Sequence, residues 1–112
     1  MTVEDLRTLG ADADDGLERC MNNEDFYIKL DTKVLSEDKF EKLKDEFDAK
    51  DTENAFKTAH GLKGVLGNMA LTPLFVPVSE LTELLRGGGE VSDDKGYLDE
   101  IFNQLEKFRA LL

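Results

Sequence analysis

Residues 52–71 read Thr-Glu-Asn-Ala-Phe-Lys-Thr-Ala-His-Gly-Leu-Lys-Gly-Val-Leu-Gly-Asn-Met-Ala-Leu, and their spacing decides the architecture. On a helical wheel Ala55, Thr58, Leu62, Val65, Leu66 and Met69 gather on one side, which makes that side a core face. The opposite side carries His60, Lys63, Gly64 and Gly67, spaced so that all four share one stripe. Asp51 or Thr52 is the expected cap, and the helix is expected to run to about Leu71. Gly61, Gly64 and Gly67 sit inside it, each at a cost of about 1 kcal/mol relative to alanine. Gly64 and Gly67 project within about 40° of His60. Their missing side chains suit either approach by a second protein or close packing of a neighbouring helix.

Working outward, apolar positions recur at helical spacing almost throughout, with no sustained period-two alternation. The chain reads as all-α. Two short helices open it, near Val3 to Leu9 behind a Thr2 cap and near Ala13 to Met21 behind Asp12. Glu24 to Leu35 carries Phe26, Tyr27, Leu30 and Val34. After a break at Ser36 or Asp38, the run to Ala49 carries Phe40, Leu43 and Phe47, as one bent helix or two. Beyond residue 71, Thr72 and Pro73 suit a cap and a first helical position, opening a segment with Leu74, Val78, Leu81 and Leu85 on one stripe. Pro77 predicts a kink there or a delayed start. Gly87, Gly88 and Gly89 end that element, and Ser92 is the expected cap of a last helix with Leu98, Ile101, Leu105, Phe108 and Leu112 on its core side. Four substantial amphipathic elements with short connections predict an antiparallel four-helix bundle, with the short N-terminal helices covering one end.

Composition bounds the possibilities. At 112 residues the chain suits one compact domain spanning 1–112. Its 14 basic and 25 acidic side chains leave a formal charge of −11, which repels nucleic acid and anionic membrane. No run approaches the roughly 18 apolar residues of a membrane span, and the first residues lack the features of a signal peptide. A cytoplasmic monomer is the expectation. Cys20 has no second cysteine to pair with, in keeping with a reducing compartment.

His60 is the only histidine. It can form neither a multi-histidine metal site nor a relay with a second imidazole, so any chemistry it performs is performed singly. A free imidazole, with a pKa of about 6.5, is mostly neutral and nucleophilic at physiological pH, and phosphoryl carriage is a job that one exposed ring can do. Lys63, one turn away, can neutralise phosphoryl oxygens. Lys57 can add to that field, and Phe56 offers a partner an apolar contact. No loop of the Gly-Lys-Ser/Thr type is present, so there is no ATP site and no cofactor is expected within the chain.

The run Ala59-His60-Gly61-Leu62-Lys63-Gly64, followed by Gly67-Asn68-Met69, resembles the signature of histidine-containing phosphotransfer (HPt) domains. The likeness extends more weakly over nearly the whole chain, through the acidic helix before it, the Leu71-Thr72-Pro73-Leu74 connection and the closing amphipathic helix. It implies a four-helix bundle in which His60 is phosphorylated, Lys63 stabilises the phosphate and Gly64 leaves room around the ring. Phe56, Lys57, Gly67 and Asn68 would then meet the partner, a response-regulator receiver domain or a histidine kinase. The receiver would supply the acidic pocket and the divalent ion. Many members have glycine where this chain has Ala70 and a small residue where it has Leu66, and Pro77 is a further departure.

Other classes fit less well. A non-catalytic acidic bundle that binds signalling partners would leave the His-Lys-Gly stripe without a purpose. A carboxylate-based hydrolase needs two acids across a cleft, and 25 acidic residues make chance pairs abundant. A calcium loop at Asp12, Asp14 and Asp15 fails on the position of Gly16 and the lack of a closing glutamate.

Overall fold

The computed structural model describes residues 1–112. Its elements are α1 (Val3–Thr8), α2 (Ala13–Arg19), α3 (Glu24–Ser36), α4 (Lys39–Asp48), α5 (Thr52–Asn68), α6 (Thr72–Arg86), a 3-10 turn (Val91–Asp93) and α7 (Tyr97–Arg109). There is no strand, and the all-α bundle expected from periodicity is what forms. No helix is long and apolar enough to cross a membrane. α5 lies between α4 and α6; α6 also packs on α7, which reaches back to α3. The connections 49–51 and 69–71 are too short to let contacting helices run the same way, so α4, α5 and α6 alternate in direction.

The first long wall is two helices. Glu37 is extended, at φ −71° and ψ 157°, which separates α3 from α4. Arg109, at the end of α7, fills the break. Its guanidinium donates to the carbonyls of Leu35 at 2.8 Å and Glu37 at 3.2 Å, and takes both carboxylate oxygens of Glu41 at 2.9 Å. A bidentate charged pair of this kind is directional as well as attractive. The hydrogen bonds from Arg109 hold the Glu41 carboxyl below its ordinary pKa.

The core is one cluster running from α1 to α7. Tyr27, Phe40, Leu43, Leu62, Leu66, Leu74, Leu81, Ile101 and Phe108 are almost wholly enclosed. Burying a leucine or phenylalanine this completely contributes about 1.5–3 kcal/mol each. On α5 the enclosed positions are Ala55, Ala59, Leu62 and Leu66, so the core face is rotated slightly from the expected one; Thr58, Val65 and Met69 are only half-buried. Phe26 is exposed on α3, and Leu112 is exposed beyond the end of α7, where no helix remains to direct it inward. Leu98 is half-buried.

Several boundaries differ from the sequence expectation for identifiable reasons. Thr2 and Asp12 cap α1 and α2 as expected, but both helices end earlier, at Thr8 and Arg19. Asp51 caps α5, which ends at Asn68 rather than Leu71 because Ala70 turns into the left-handed region at φ 55°. There the Leu71 N–H donates to Leu66 and the Ala70 N–H to Gly67, the paired closure of a Schellman turn. Leu71, not Thr72, is the cap of α6, and Thr72 is its first helical residue. Pro77 neither delays nor interrupts α6, which continues through it with the ring buried. Ser92 lies in the 3-10 turn; Gly96 holds the cap position of α7 at φ 91°, and the Asp94 carboxylate two residues earlier accepts from the Tyr97 and Leu98 N–H groups.

The N-terminal helices are tied to the α5–α6 turn. A Cβ at Gly16 would run into the ring of Tyr27, so α2 lies directly on that ring. The Tyr27 hydroxyl donates to the Met69 carbonyl at 2.8 Å, and the Asp12 N–H donates to the Ala70 carbonyl at 3.0 Å. One turn along α3 from Tyr27, Asp31 is fully buried with neither carboxylate oxygen hydrogen-bonded. Burial pushes its pKa up to about 8, so the folded protein carries it as a neutral acid at neutral pH.

Two stability outcomes follow from these features. Ala70→Gly is expected to raise stability by about 1 kcal/mol, since glycine adopts the left-handed conformation without the Cβ clash; urea unfolding of the two proteins measures it. Asp31 ionises near 3.8 when unfolded and near about 8 when folded. Folding therefore takes up a proton between those values, and stability falls as pH rises through that window. Asp31→Asn removes this slope, so the variant gains on the wild type between about pH 4 and pH 8, a comparison that denaturant titrations across the range make directly.

Candidate functional site

The site is built where α5 and α6 run alongside each other. His60 is near the middle of α5 with its side chain exposed. Its ring stacks on Phe56, one turn earlier, with centroids 5.8 Å apart and planes 23° from parallel. Arg86, the last residue of α6, reaches across: its Nη2 lies 3.2 Å from His60 Nδ1 and its guanidinium carbon 5.4 Å from the Phe56 centroid. Glu83, one turn before Arg86, accepts from Lys63 Nζ at 3.0 Å and lies 3.4 Å from Arg86 Nε. The hydrogen bond from Lys63 is the chief reason that the Glu83 carboxyl sits below its ordinary pKa, with Arg86 adding to it.

The imidazole thus has two cations close by, both held by one carboxylate. Lys63 is not the free, exposed ammonium that the sequence suggested; its side chain is 29 % exposed and ion-paired. Arg86 and Glu83 were not among the expected site residues. Their signal in the sequence is slight: both fall on the polar side of α6, away from Leu74, Val78, Leu81 and Leu85. Only the register of α6 against α5 puts that side beside His60.

A groove of about 570 Å³ opens next to the imidazole. His60, Lys63, Gly64, Gly67 and Asn68 form its α5 wall, and Phe75 contributes from α6. Asp12, Asp15 and Arg19 bring the N-terminal segment to its rim, with Arg19 paired to Asp15 at 3.1 Å. The structure therefore gathers His60, Lys63, Gly64, Gly67, Asn68 and Phe56 in one region. Lys57 falls apart from them. It pairs with Glu53 at 3.6 Å and lines a smaller groove with Lys39 and Lys42, on the α4 side of α5.

The glycines divide by cause. A Cβ at Gly61 or Gly64 would meet nothing within 4 Å, so these two leave open surface beside His60. A Cβ at Gly67 would stand 3.2 Å from the Phe75 ring. Gly67 thus answers a packing requirement between α5 and α6, rather than clearing the way for a partner.

An exposed imidazole midway along a bundle helix, flanked by cations and bare backbone, leaves a single nucleophilic group open to solvent. The family model described as Hpt domain matches residues 33–111, and the chain belongs to that family, whose activity is histidine phosphotransfer in two-component signalling. No curated protein and no solved structure matches the chain. The helices α1 and α2, and with them the rim residues Asp12, Asp15 and Arg19, lie outside the matched residues.

Alanine substitution separates the glycines. Gly61→Ala and Gly64→Ala are each expected to stabilise the fold by about 0.5–1 kcal/mol through helix propensity. Gly67→Ala is expected to gain less than either, or to lose stability, because the Phe75 ring must shift. Thermal melts of the three variants give the ranking.

Proposed function

We propose that the protein is a phosphorelay intermediate. His60 accepts a phosphoryl group from the aspartyl phosphate of a receiver domain, or by way of a histidine kinase, and passes it to another receiver. The observation that carries this reading is the accessibility of the His60 ring beside Gly61 and Gly64, with Lys63 and Arg86 in reach of any group attached to it.

In this reading the chain supplies the nucleophile and the electrostatic support, and the partner supplies the rest of the site. The ring displaces the carboxylate of the donor from phosphorus. Lys63 turns from Glu83 towards the phosphoryl oxygens, trading one anion for another. Phe56 holds the imidazole in place by stacking, and Gly64 with Asn68 lets the partner surface approach. The activated phosphoryl donor comes from the partner, as does the divalent ion that receiver chemistry uses. Such partners place the protein in the cytoplasm, and the continuous core from α1 to α7 suits a monomer.

Incubation with a phosphorylated receiver is expected to leave acid-labile, alkali-stable label on the wild type and none on His60→Gln. Equal labelling of the two would refute the assignment. A protein that only binds receivers would keep its affinity and acquire no label in either form. Lys63→Ala is expected to slow transfer about tenfold, a modest effect for a partly solvated cation, while its melting behaviour stays close to wild type.

A further inference from the structure

We infer that Arg86 is a positioning residue that caps His60 Nδ1 once Nε2 carries the phosphoryl group and so prolongs the life of the phosphohistidine. The inference rests on the phosphorelay reading above and adds to it a residue that acts after transfer. Its starting point is a hydrogen bond with only one sense. A guanidinium has donors and no acceptor, so the contact of 3.2 Å between Arg86 Nη2 and His60 Nδ1 requires a lone pair on Nδ1. In the neutral unphosphorylated ring the proton is then on Nε2.

The arrangement is held from two sides. The guanidinium lies over Phe56, the same ring on which the imidazole stacks. Glu83 Oε1 draws Arg86 Nε from below at 3.4 Å and is itself held by Lys63 at 3.0 Å. The remaining charged groups facing this region are Asp12, Asp15 and Arg19 of the N-terminal segment, across the groove, whereas Lys57 on α5 faces the α4 side. None of these makes a hydrogen bond to the ring. Nδ1 is occupied by α6, and Nε2 is the nitrogen left for a partner.

The chemistry makes the capped geometry that of the phosphorylated ring. During attack the proton is on Nδ1, Arg86 stands off, and the Nε2 lone pair forms the N–P bond. The P–O bond to the donor carboxylate breaks, and its electron pair leaves with that carboxylate. The Nδ1 proton then passes to solvent, which leaves a neutral phosphoimidazole with a lone pair on Nδ1. That lone pair is what Arg86 is placed to cover. Loss of the phosphoryl group to water is fastest when Nδ1 is reprotonated, because the imidazole then leaves as a neutral molecule. Arg86 occupies the site without giving up its own proton, since a guanidinium stays charged throughout the working pH range.

Two measurements test this on the full chain with Arg86→Ala and Arg86→Lys. In nitrogen-15 spectra of unphosphorylated protein at neutral pH, the wild type is expected to show the Nε2–H tautomer with a hydrogen-bonded Nδ1. The Nδ1 resonance moves in Arg86→Ala and moves part of the way back in Arg86→Lys. After labelling by a phosphorylated receiver and removal of that receiver, Arg86→Ala is expected to lose label about fivefold faster near neutral pH, the scale of one partly solvated charge-assisted hydrogen bond. The difference closes at alkaline pH, where Nδ1 is unprotonated with or without the cap. A wild type that takes up no label overturns the relay reading and this inference with it. A labelled wild type whose phosphohistidine lifetime and pH profile match those of Arg86→Ala overturns this inference alone, as does a phosphoryl group found on Nδ1.

Discussion

The three-residue connection between α5 and α6 is the constraint on which the rest depends. Ala70 enters the left-handed region, two backbone hydrogen bonds close the end of α5, and Leu71 opens α6 at once. With so little chain between them the helices pack antiparallel at a fixed register. That register brings Glu83 to Lys63 and Arg86 to His60, pairs separated by 20 and 26 positions in the chain. A longer or looser connection would let α6 slide or rotate, and a shift of one helical position would carry both charged side chains away from the imidazole.

The same connection explains why the N-terminal helices matter to the site. Tyr27 donates to the Met69 carbonyl and the Asp12 amide to the Ala70 carbonyl, so two of the peptide oxygens left over at the turn are satisfied from α3 and from the start of α2. Buried carbonyls without partners are costly, which gives the N-terminal segment a defined seat. In that seat it brings Asp12, Asp15 and Arg19 to the rim of the groove beside His60. Arg109 plays the matching part at the other end, joining α7 to the break between α3 and α4.

The charges around His60 form a linked set. Glu83 is the common anion for Lys63 and Arg86. A carboxylate in that place keeps two cations ordered next to the imidazole, without mutual repulsion driving them into solvent. Asp31 is the contrasting case, a carboxyl that burial leaves protonated and unpaired. It lies in the core between the N-terminal helices and the long ones, away from the His60 groove, and bears on stability and its pH dependence.

Much of this was legible in one dimension. The period of the apolar residues determined an all-α bundle, because a buried stripe at helical spacing has few other ways to leave water. The His60, Lys63 and Gly64 stripe was equally readable, since residues of one helix keep their angular relation whatever the helix packs against. Caps supplied by a neighbouring side chain, Thr2, Asp12 and Asp51, were found for the same local reason. What only the tertiary structure decided depends on a second element. Arg86 and Glu83 looked like ordinary solvated residues of α6 until that helix was set against α5. Gly67 owes its lack of a side chain to Phe75, and Lys63 its partial burial to Glu83. Spacing along a chain fixes angles around one helix axis. Distances between two axes come from how the cores interlock and how short the connecting turn is.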